Sequence, residues 1–333
     1  MKLTIAIPGL IWPDLDRISD VYSQTKLPNF DYLIRYADLS IIDQLNYSDF
    51  IYSFDQNNLS LANLYAHKLN CVNSHISFLL CSPTYLQIDR DKALCTEPEL
   101  LQLDDSETQS IIAMINQHFD NELKLYAITN ELWLIGFNHK IILNTSYPPI
   151  DIIGENIDPY LKQSNYPQKL SQIFNEIQML LFNFKLNHIR KQEGLLPINS
   201  LWFWNKHLNP NLDHFNRIYC NNPSLTNTNP LINAIDHNLA QLLQESDNLL
   251  IWDSLYSASR YRDGYGFISQ LDHLDQHLGK FLNSVISNRT LHNLVLLLPH
   301  EHKTLKLEIK PLNRFKFWRS NNLYKLVENS YEI

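Results

Sequence analysis

Glycine is scarce in this chain, seven residues in 333, where an average protein carries about 7%. Neither G-x-G-x-x-G nor G-x-x-x-x-G-K-[ST] occurs. Dinucleotide and P-loop sites, which need the close backbone approach that glycine permits, therefore have no support. Cysteine is sparser still. Cys71, Cys81, Cys95 and Cys220 lack any C-x-x-C spacing, which speaks against a zinc site built on them. They are expected as small, reduced core residues of a cytoplasmic protein. No run of about 18 apolar residues exists, so no membrane span is expected. The apolar start "MKLTIAIPGLIWP" meets Pro8 and Pro13 too early for a secretory signal. Charged residues are only 19% of the chain and the formal net charge is -8, which argues against nucleic acid or an anionic membrane as the main partner.

The apolar share, 44%, is enough for a sizeable core. Residues 3–7, "LTIAI", read as a short, fully apolar strand of the kind that sits centrally in a parallel sheet, ended by Pro8-Gly9. Residues 15–70 read as helical and irregular. Between 75 and 150, "HISFLLCSP", "TYLQIDR" and "KALC" read as short strands. A helix follows over 105–119, with Ser106 or Asp105 as its cap, and then "LKLYAIT", "ELWLIGF" and "KIIL" as an antiparallel meander. Residues 146–166 are a proline-bearing connector. Leu170, Ile173, Phe174, Ile177, Leu180, Leu181 and Phe184 then form a wide helical stripe. Beyond it come a strand at 200–204, an Asn/Pro-rich loop over 208–230 and a helix over 230–244. A buried strand at 248–252, an amphipathic helix at 267–286 and a buried strand at 294–298 complete the alternation. Residues 304–310, "TLKLEIK", alternate as an edge strand with its charges outward should. This order after residue 170 indicates an α/β core, with a compact α+β unit inserted into it.

Several residues carry chemistry. Arg190 can fork onto a phosphate or carboxylate, or be a hinge arginine paired to Glu176 or Glu193. Asn187 and Asn199 can orient a ligand or close turns. Asp253 and His300 follow apolar strands, where α/β proteins place ligands, and His302 supplies a further metal-ligand type. His273 and His277 lie four apart on one helix face, a spacing that metal pairs use, while Leu271, Leu274 and Leu278 mark the buried stripe and put both histidines on its flank. Residues 301–326 hold seven cations against Glu301 and Glu308, a net +5 that leaves -13 for the rest of the chain. Within it "RFKFWR" interleaves cations with aromatics, suiting either an anionic partner or a lysine-protected edge.

Residues 186–204, "LNHIRKQEGLLPINSLWFW", resemble the N-x-x-R-x-x-x-G-x-x-P-x-N-x-x-W-x-W segment of archaeal-type, cofactor-independent phosphoglycerate mutases of the alkaline phosphatase superfamily. They are most similar to a bacterial phosphoglycerate mutase-like, or regulatory, branch. Residues 78–116, 148–157 and 251–282 extend the resemblance in the same order. It implies an alkaline-phosphatase-like α/β core over 1–74 and 187–333, flanked by helices, with an inserted α+β domain over 75–186. In the family, chemistry needs two divalent metals and a nucleophilic serine. Here the family's Asp-Gly after the first strand is Pro8-Gly9-Leu10, its Asp-x-x-x-His pair is Asp253 with Ser257, and its Asp-His turn is Pro299-His300. At most Asp253 and His300 survive as ligand types.

Three readings follow. The first is a catalytically degenerate phosphoglycerate mutase-like protein, regulatory or gripping a phosphorylated small acid through Arg190, Asn187 and Asn199, with no cofactor. The second is an active metal-dependent mutase or phosphatase with Mn or Zn held in an altered site. The third is a protein–protein interaction component.

Overall fold

The computed structural model of the chain describes residues 1–52, 60–89, 92–143, 146–206, 215–223, 232–235, 238–288, 290–300, 303–315 and 321–331. It divides into two compact units, Met1–Ile51 with Pro210–Ile333, and Tyr52–Asn209. No helix among the described residues is long and apolar enough to cross a membrane.

The first unit is a mixed α/β layer built on a seven-stranded sheet among the described residues. From edge to edge the strands are β10 (Ile232–Ala234), β9 (Ile218–Cys220), β11 (Asn248–Ile251), β1 (Lys2–Ala6), β12 (Asn293–Pro299), β13 (Lys303–Ile309) and β2 (Asp38–Asp43). As its composition demands, β1 lies between two parallel neighbours. Its register puts Ile5 beside Leu250 on one side and Leu296 on the other, and Leu296 in turn beside Leu307. This apolar row packs into a single core with Phe30, Leu33 and Ile34 of the helix Pro28–Tyr36 and with Leu271, Leu274, Leu278 and Leu282 of a long helix starting at Gly264.

Two expectations change here. "TLKLEIK" is not the edge: β13 pairs antiparallel with β12 and again with β2, which is outermost. Its alternation records one covered face, with Leu305, Leu307 and Ile309 buried while Lys306 and Glu308 pair at 3.3 Å on the other. Alternation says nothing of how many neighbours a strand has. The helix expected over 230–244 is instead the short strand β10 and a 3-10 turn, Leu239–Leu243, among the described residues. Pairing of Ile232 with Ile218 along the sheet overrides the local helical pattern.

The second unit is built on a four-stranded antiparallel sheet in the order β6 (Leu123–Ala127), β7 (Trp133–Phe137), β3 (Ser77–Thr84) and β8 (Ser200–Trp204), beside the hairpin β4 (Leu86–Asp89) and β5 (Lys92–Cys95). Both faces are covered, so the central strands are mainly apolar and pleating deals their side chains to two cores. Leu201 and Phe203 of β8 join Leu79 and Cys81 under the helices Asp105–His118 and Gln168–Phe182. Trp202 and Trp204 join Phe78 and Leu80 against the helix Leu61–Lys68. The expected 170–184 stripe is there: Leu170, Ile173, Phe174, Ile177 and Leu181 are buried. "KIIL" forms no strand; Ile141 and Leu143 are buried, with the Ile141 amide bonded to Ser77 Oγ at 3.0 Å.

This unit is wider than the expected 75–186. Because β8 lies along β3, with Leu80 beside Trp204 and Thr84 beside Ser200, the segment after residue 187 stays in it. The helix at 61–68, packed on its second core, brings in the other flank.

Candidate functional site

The resemblance singles out Arg190, Asn187 and Asn199, and all three lie in the second unit, committed to its frame. Arg190, on the helix Lys185–Gln192, is fully buried. Its Nη1 donates to Glu107 Oε2 at 2.6 Å, its Nε to the Leu196 carbonyl at 2.8 Å and its Nη2 to the Leu101 carbonyl. The same Glu107 carboxylate accepts from the Asp104 amide, completing a capping box in which Asp104 receives the Glu107 amide at 2.7 Å. One guanidinium thus fastens three segments: the start of the 105–118 helix, the turn before it and the approach to β8. Its partner is neither Glu176 nor Glu193 but a residue 83 positions away.

Asn187 works alongside it. Its Nδ2 donates to the Leu181 and Ile198 carbonyls at 2.7 and 2.6 Å, and its Oδ1 accepts from the Ile198 amide at 2.8 Å. Asn199 brackets Leu86, taking its amide at 2.8 Å and giving to its carbonyl at 3.0 Å. Each side chain stands in for a strand neighbour where the backbone leaves the ladder.

The other candidates belong to the first unit. Five of its strands run parallel, and in such sheets ligands gather at the carboxyl ends. Those ends carry Pro8-Gly9 after β1, Cys220 with Asn221 and Asn222 at β9, Asp253 after β11, and Pro299-His300 at β12. Gly9 has φ 78°, and a Cβ there would come within 2.7 Å of Tyr256 Cα. The turn after β1 therefore lies hard against the start of the helix Tyr256–Arg260.

Asp253 is the centre of this end. Its Oδ2 accepts from Tyr47 Oη at 2.6 Å and from Asn222 Nδ2 at 2.8 Å, while its amide donates to Asn221 Oδ1 at 2.9 Å. Burial raises the Asp253 carboxyl above the usual carboxylate range, and the Tyr47 and Asn222 bonds offset this only in part. Tyr47 is pushed up, first by burial and then by the Asp253 charge; Cys220 is pushed up for the same two reasons. All four cysteines are buried and unpaired by disulfides. His300 sits beyond β12, its amide bonded to the Lys303 carbonyl at 2.9 Å and its ring edge-on to Tyr331. His302, and Lys316 and Arg319 of the basic tail, lie outside the described residues.

The described residues around Asp253 do not gather the ligands of a two-metal centre of the phosphatase kind. Such a centre needs several anionic or imidazole ligands converging on one point. Around Asp253 the groups that converge are a phenol and an amide, both donating into one carboxylate oxygen, Oδ2. No group of three or more His, Cys, Asp or Glu side chains gathers among the described residues. Tyr47 and Asn222 carry no motif that would have marked them in the sequence; only the tertiary structure brings them to Asp253.

No family model matches the chain. Stretches of it are similar to curated 2,3-bisphosphoglycerate-independent phosphoglycerate mutases. That of Methanosarcina mazei is 29% identical over 92 residues, 26% of this chain and 23% of that protein. That of Methanosarcina acetivorans is 30% identical over 108 residues, 30% of this chain and 27% of that one. A probable enzyme of Geobacter sulfurreducens is 29% identical over 87 residues, 24% of this chain and 22% of it. The matched stretches thus span under a third of each relative. Among solved structures, the cofactor-independent phosphoglycerate mutase of Thermoplasma acidophilum aligns with a TM-score of 0.37 and 13% identity, over 98% of each chain. A Pyrococcus horikoshii protein aligns with a TM-score of 0.45 and 12% identity, over 93% of this chain and 87% of that one. The relationship is phosphoglycerate mutase-like, and the fold described above stands on the chain's own strand order.

Proposed function

We propose that this protein is a phosphoglycerate mutase-like module that has given up metal-dependent phosphoryl transfer and acts by binding or regulation. The observation that supports this is the state of Asp253. A carboxylate ligates a metal more readily when donors do not already occupy it. Here Tyr47 and Asn222 donate into it, and burial favours its neutral form. Pro8-Gly9-Leu10 supports the same reading, since it places an imino acid, a glycine and a leucine where the resembled enzymes carry an acidic turn.

In this reading Arg190, Asn187 and Asn199 keep the motif of the resembled enzymes because they hold the second unit together. Gripping a phosphorylated acid with Arg190 would require breaking its bonds to Glu107, Leu101 and Leu196.

The test is interconversion of 2- and 3-phosphoglycerate by the purified full chain with Mn²⁺, together with metal analysis. Turnover no higher than the uncatalysed background, and less than stoichiometric metal, are expected. Two tightly held ions per chain, or turnover abolished by Asp253→Ala, would overturn the proposal and favour an active enzyme with rearranged ligands.

A further inference from the structure

We infer that the second unit carries a chemical site of its own, in which Tyr126 is a nucleophile, His75 its base and Asn138 the residue that orients the base, and that this site takes an acyl group from an activated ester. The three side chains form one hydrogen-bonded line. Tyr126 Oη lies 2.8 Å from His75 Nε2, and His75 Nδ1 lies 2.8 Å from Asn138 Oδ1. A hydroxyl within about 2.6–3.2 Å of a base that a third group holds in place is the arrangement by which enzymes activate weak nucleophiles.

The direction of each proton follows from the far end of the line. Asn138 Nδ2 donates to the Asn121 carbonyl at 2.7 Å. A carbonyl only accepts, so the amide oxygen of Asn138 is the atom that faces His75. His75 therefore carries its proton on Nδ1 and, when neutral, presents a bare Nε2 to the Tyr126 hydroxyl. The hydroxyl donates, and the imidazole is set to receive that proton. Burial pushes the Tyr126 hydroxyl up, with the Cys71 thiol adding to it, so the ring is a phenol at rest. Its proton has to leave as a new bond forms, which is the task of a general base.

The scaffold fixes this placement. His75 comes from the turn between the helix Leu61–Lys68 and β3, held by the Ser74 amide on the Cys71 carbonyl at 2.9 Å and the Ile76 amide on the Phe137 carbonyl at 2.8 Å. The imidazole lies across β7 at Gly136, where a Cβ would come within 2.3 Å of His75 Cδ2. A glycine inside a strand marks such a close approach. Register puts Gly136 beside Lys124 of β6, and Lys124 and Tyr126, two apart, project from the same face. Lys124 Nζ stands 5.5 Å from the centre of the Tyr126 ring, a cation where negative charge grows as the proton leaves. Tyr126 and His75 are both half-buried, so packing holds the line while neither side chain is closed off from solvent.

In the step, Tyr126 Oη attacks the carbonyl carbon of the ester while its proton passes to His75 Nε2. The bond from that carbon to the leaving oxygen breaks, the alcohol part departs as its anion, and the imidazolium gives its proton to water. Nothing is oxidised or reduced. Neither Arg190 nor the Asp253 end takes part, so the inference stands or falls separately from the proposed loss of metal chemistry.

The test treats the full chain with p-nitrophenyl acetate, locating acetyl groups by peptide mass mapping. Tyr126 is expected to be acetylated at least about tenfold faster than Tyr265, a tyrosine that is 89% exposed. His75→Gln keeps a hydrogen-bonding side chain beside Tyr126 but no base, and should remove that advantage. Asn138→Ala should slow the reaction severalfold, while Asn138→Asp, which still accepts from Nδ1, should keep most of the rate. Acetylation of Tyr126 no faster than that of Tyr265 would overturn the inference, and that comparison lies within the parent chain and needs no variant. A Tyr126 rate unchanged in folded His75→Gln would overturn it as well, and equal rates in the two Asn138 variants would remove Asn138 from its positioning role.

Discussion

Each of the two units holds a partly buried carboxylate, and they treat it in opposite ways. In the second unit Glu107 meets the Arg190 guanidinium at 2.6 Å, a cation that also closes two backbone carbonyls. In the first unit the donors to Asp253 among the described residues are neutral, a phenol and an amide, and burial drives its carboxyl up. A paired charge of the first kind fixes chain segments in place and becomes expensive to disturb. A carboxylate of the second kind contributes little at neutral pH, because the environment answers its hydrogen-bonding capacity without answering its charge. Residue types that could bind a ligand therefore serve architecture in one unit, while in the other a carboxylate lies at the strand ends among neutral donors.

The sharpest break in this contrast is Arg190→Ala. It strands Glu107 in a nearly closed environment and leaves the Leu101 and Leu196 carbonyls without a donor, so a loss of about 3–5 kcal/mol is expected. Urea unfolding followed by the fluorescence of Trp133, Trp202 and Trp204 measures it. A loss below about 1 kcal/mol would mean that the ion pair is not holding the unit. Asn187→Ala removes three hydrogen bonds from the same frame without touching a charge, and should cost about 2–3 kcal/mol in the same assay; a larger loss than that of Arg190→Ala would reverse the ranking. Asp275→Ala takes a buried acid that caps the 28–36 helix by accepting from the Phe30 amide at 2.8 Å, and should cost about 1–2 kcal/mol, read as a lower urea midpoint for the first unit.

Asp253→Asn should have the smallest effect, and of the opposite sign. Because the folded carboxyl is raised above its unfolded value, its contribution to stability is fully present below the unfolded value and is lost as pH climbs through the folded one. The amide variant carries no such loss, so at neutral pH it should be at least as stable as the parent. The parent should also lose stability, relative to the variant, as pH rises above the ordinary carboxylate range. A variant clearly less stable at pH 7 and indifferent to pH would show Asp253 to be a supported anion after all.

Much of the frame was legible in the residues. Residues 3–7 announced a central strand because their side chains are apolar on both sides, and β1 is covered on both sides. The 170–181 stripe announced its helix through its period; the helix expected from 105 is there too, but its cap is Asp104 in a capping box with Glu107, one residue ahead of the expected Asp105 or Ser106. The failures share a physical cause. β10 and the inner position of β13 depend on which strand lies alongside, and that is decided by partners far away in the chain. The width of the second unit depends on β8 choosing β3, which no local pattern reports.

Local periodicity and polarity, then, determined an α/β chain with an inserted α+β unit, the main helices and the apolar strands, because each of these is set by neighbours within a few residues. Only the tertiary structure decided what the polar residues do. Glu107 finds Arg190 across 83 positions and Tyr47 finds Asp253 across 206. A charged or phenolic side chain takes its role from the groups that surround it, and for these residues those groups lie far off in the sequence.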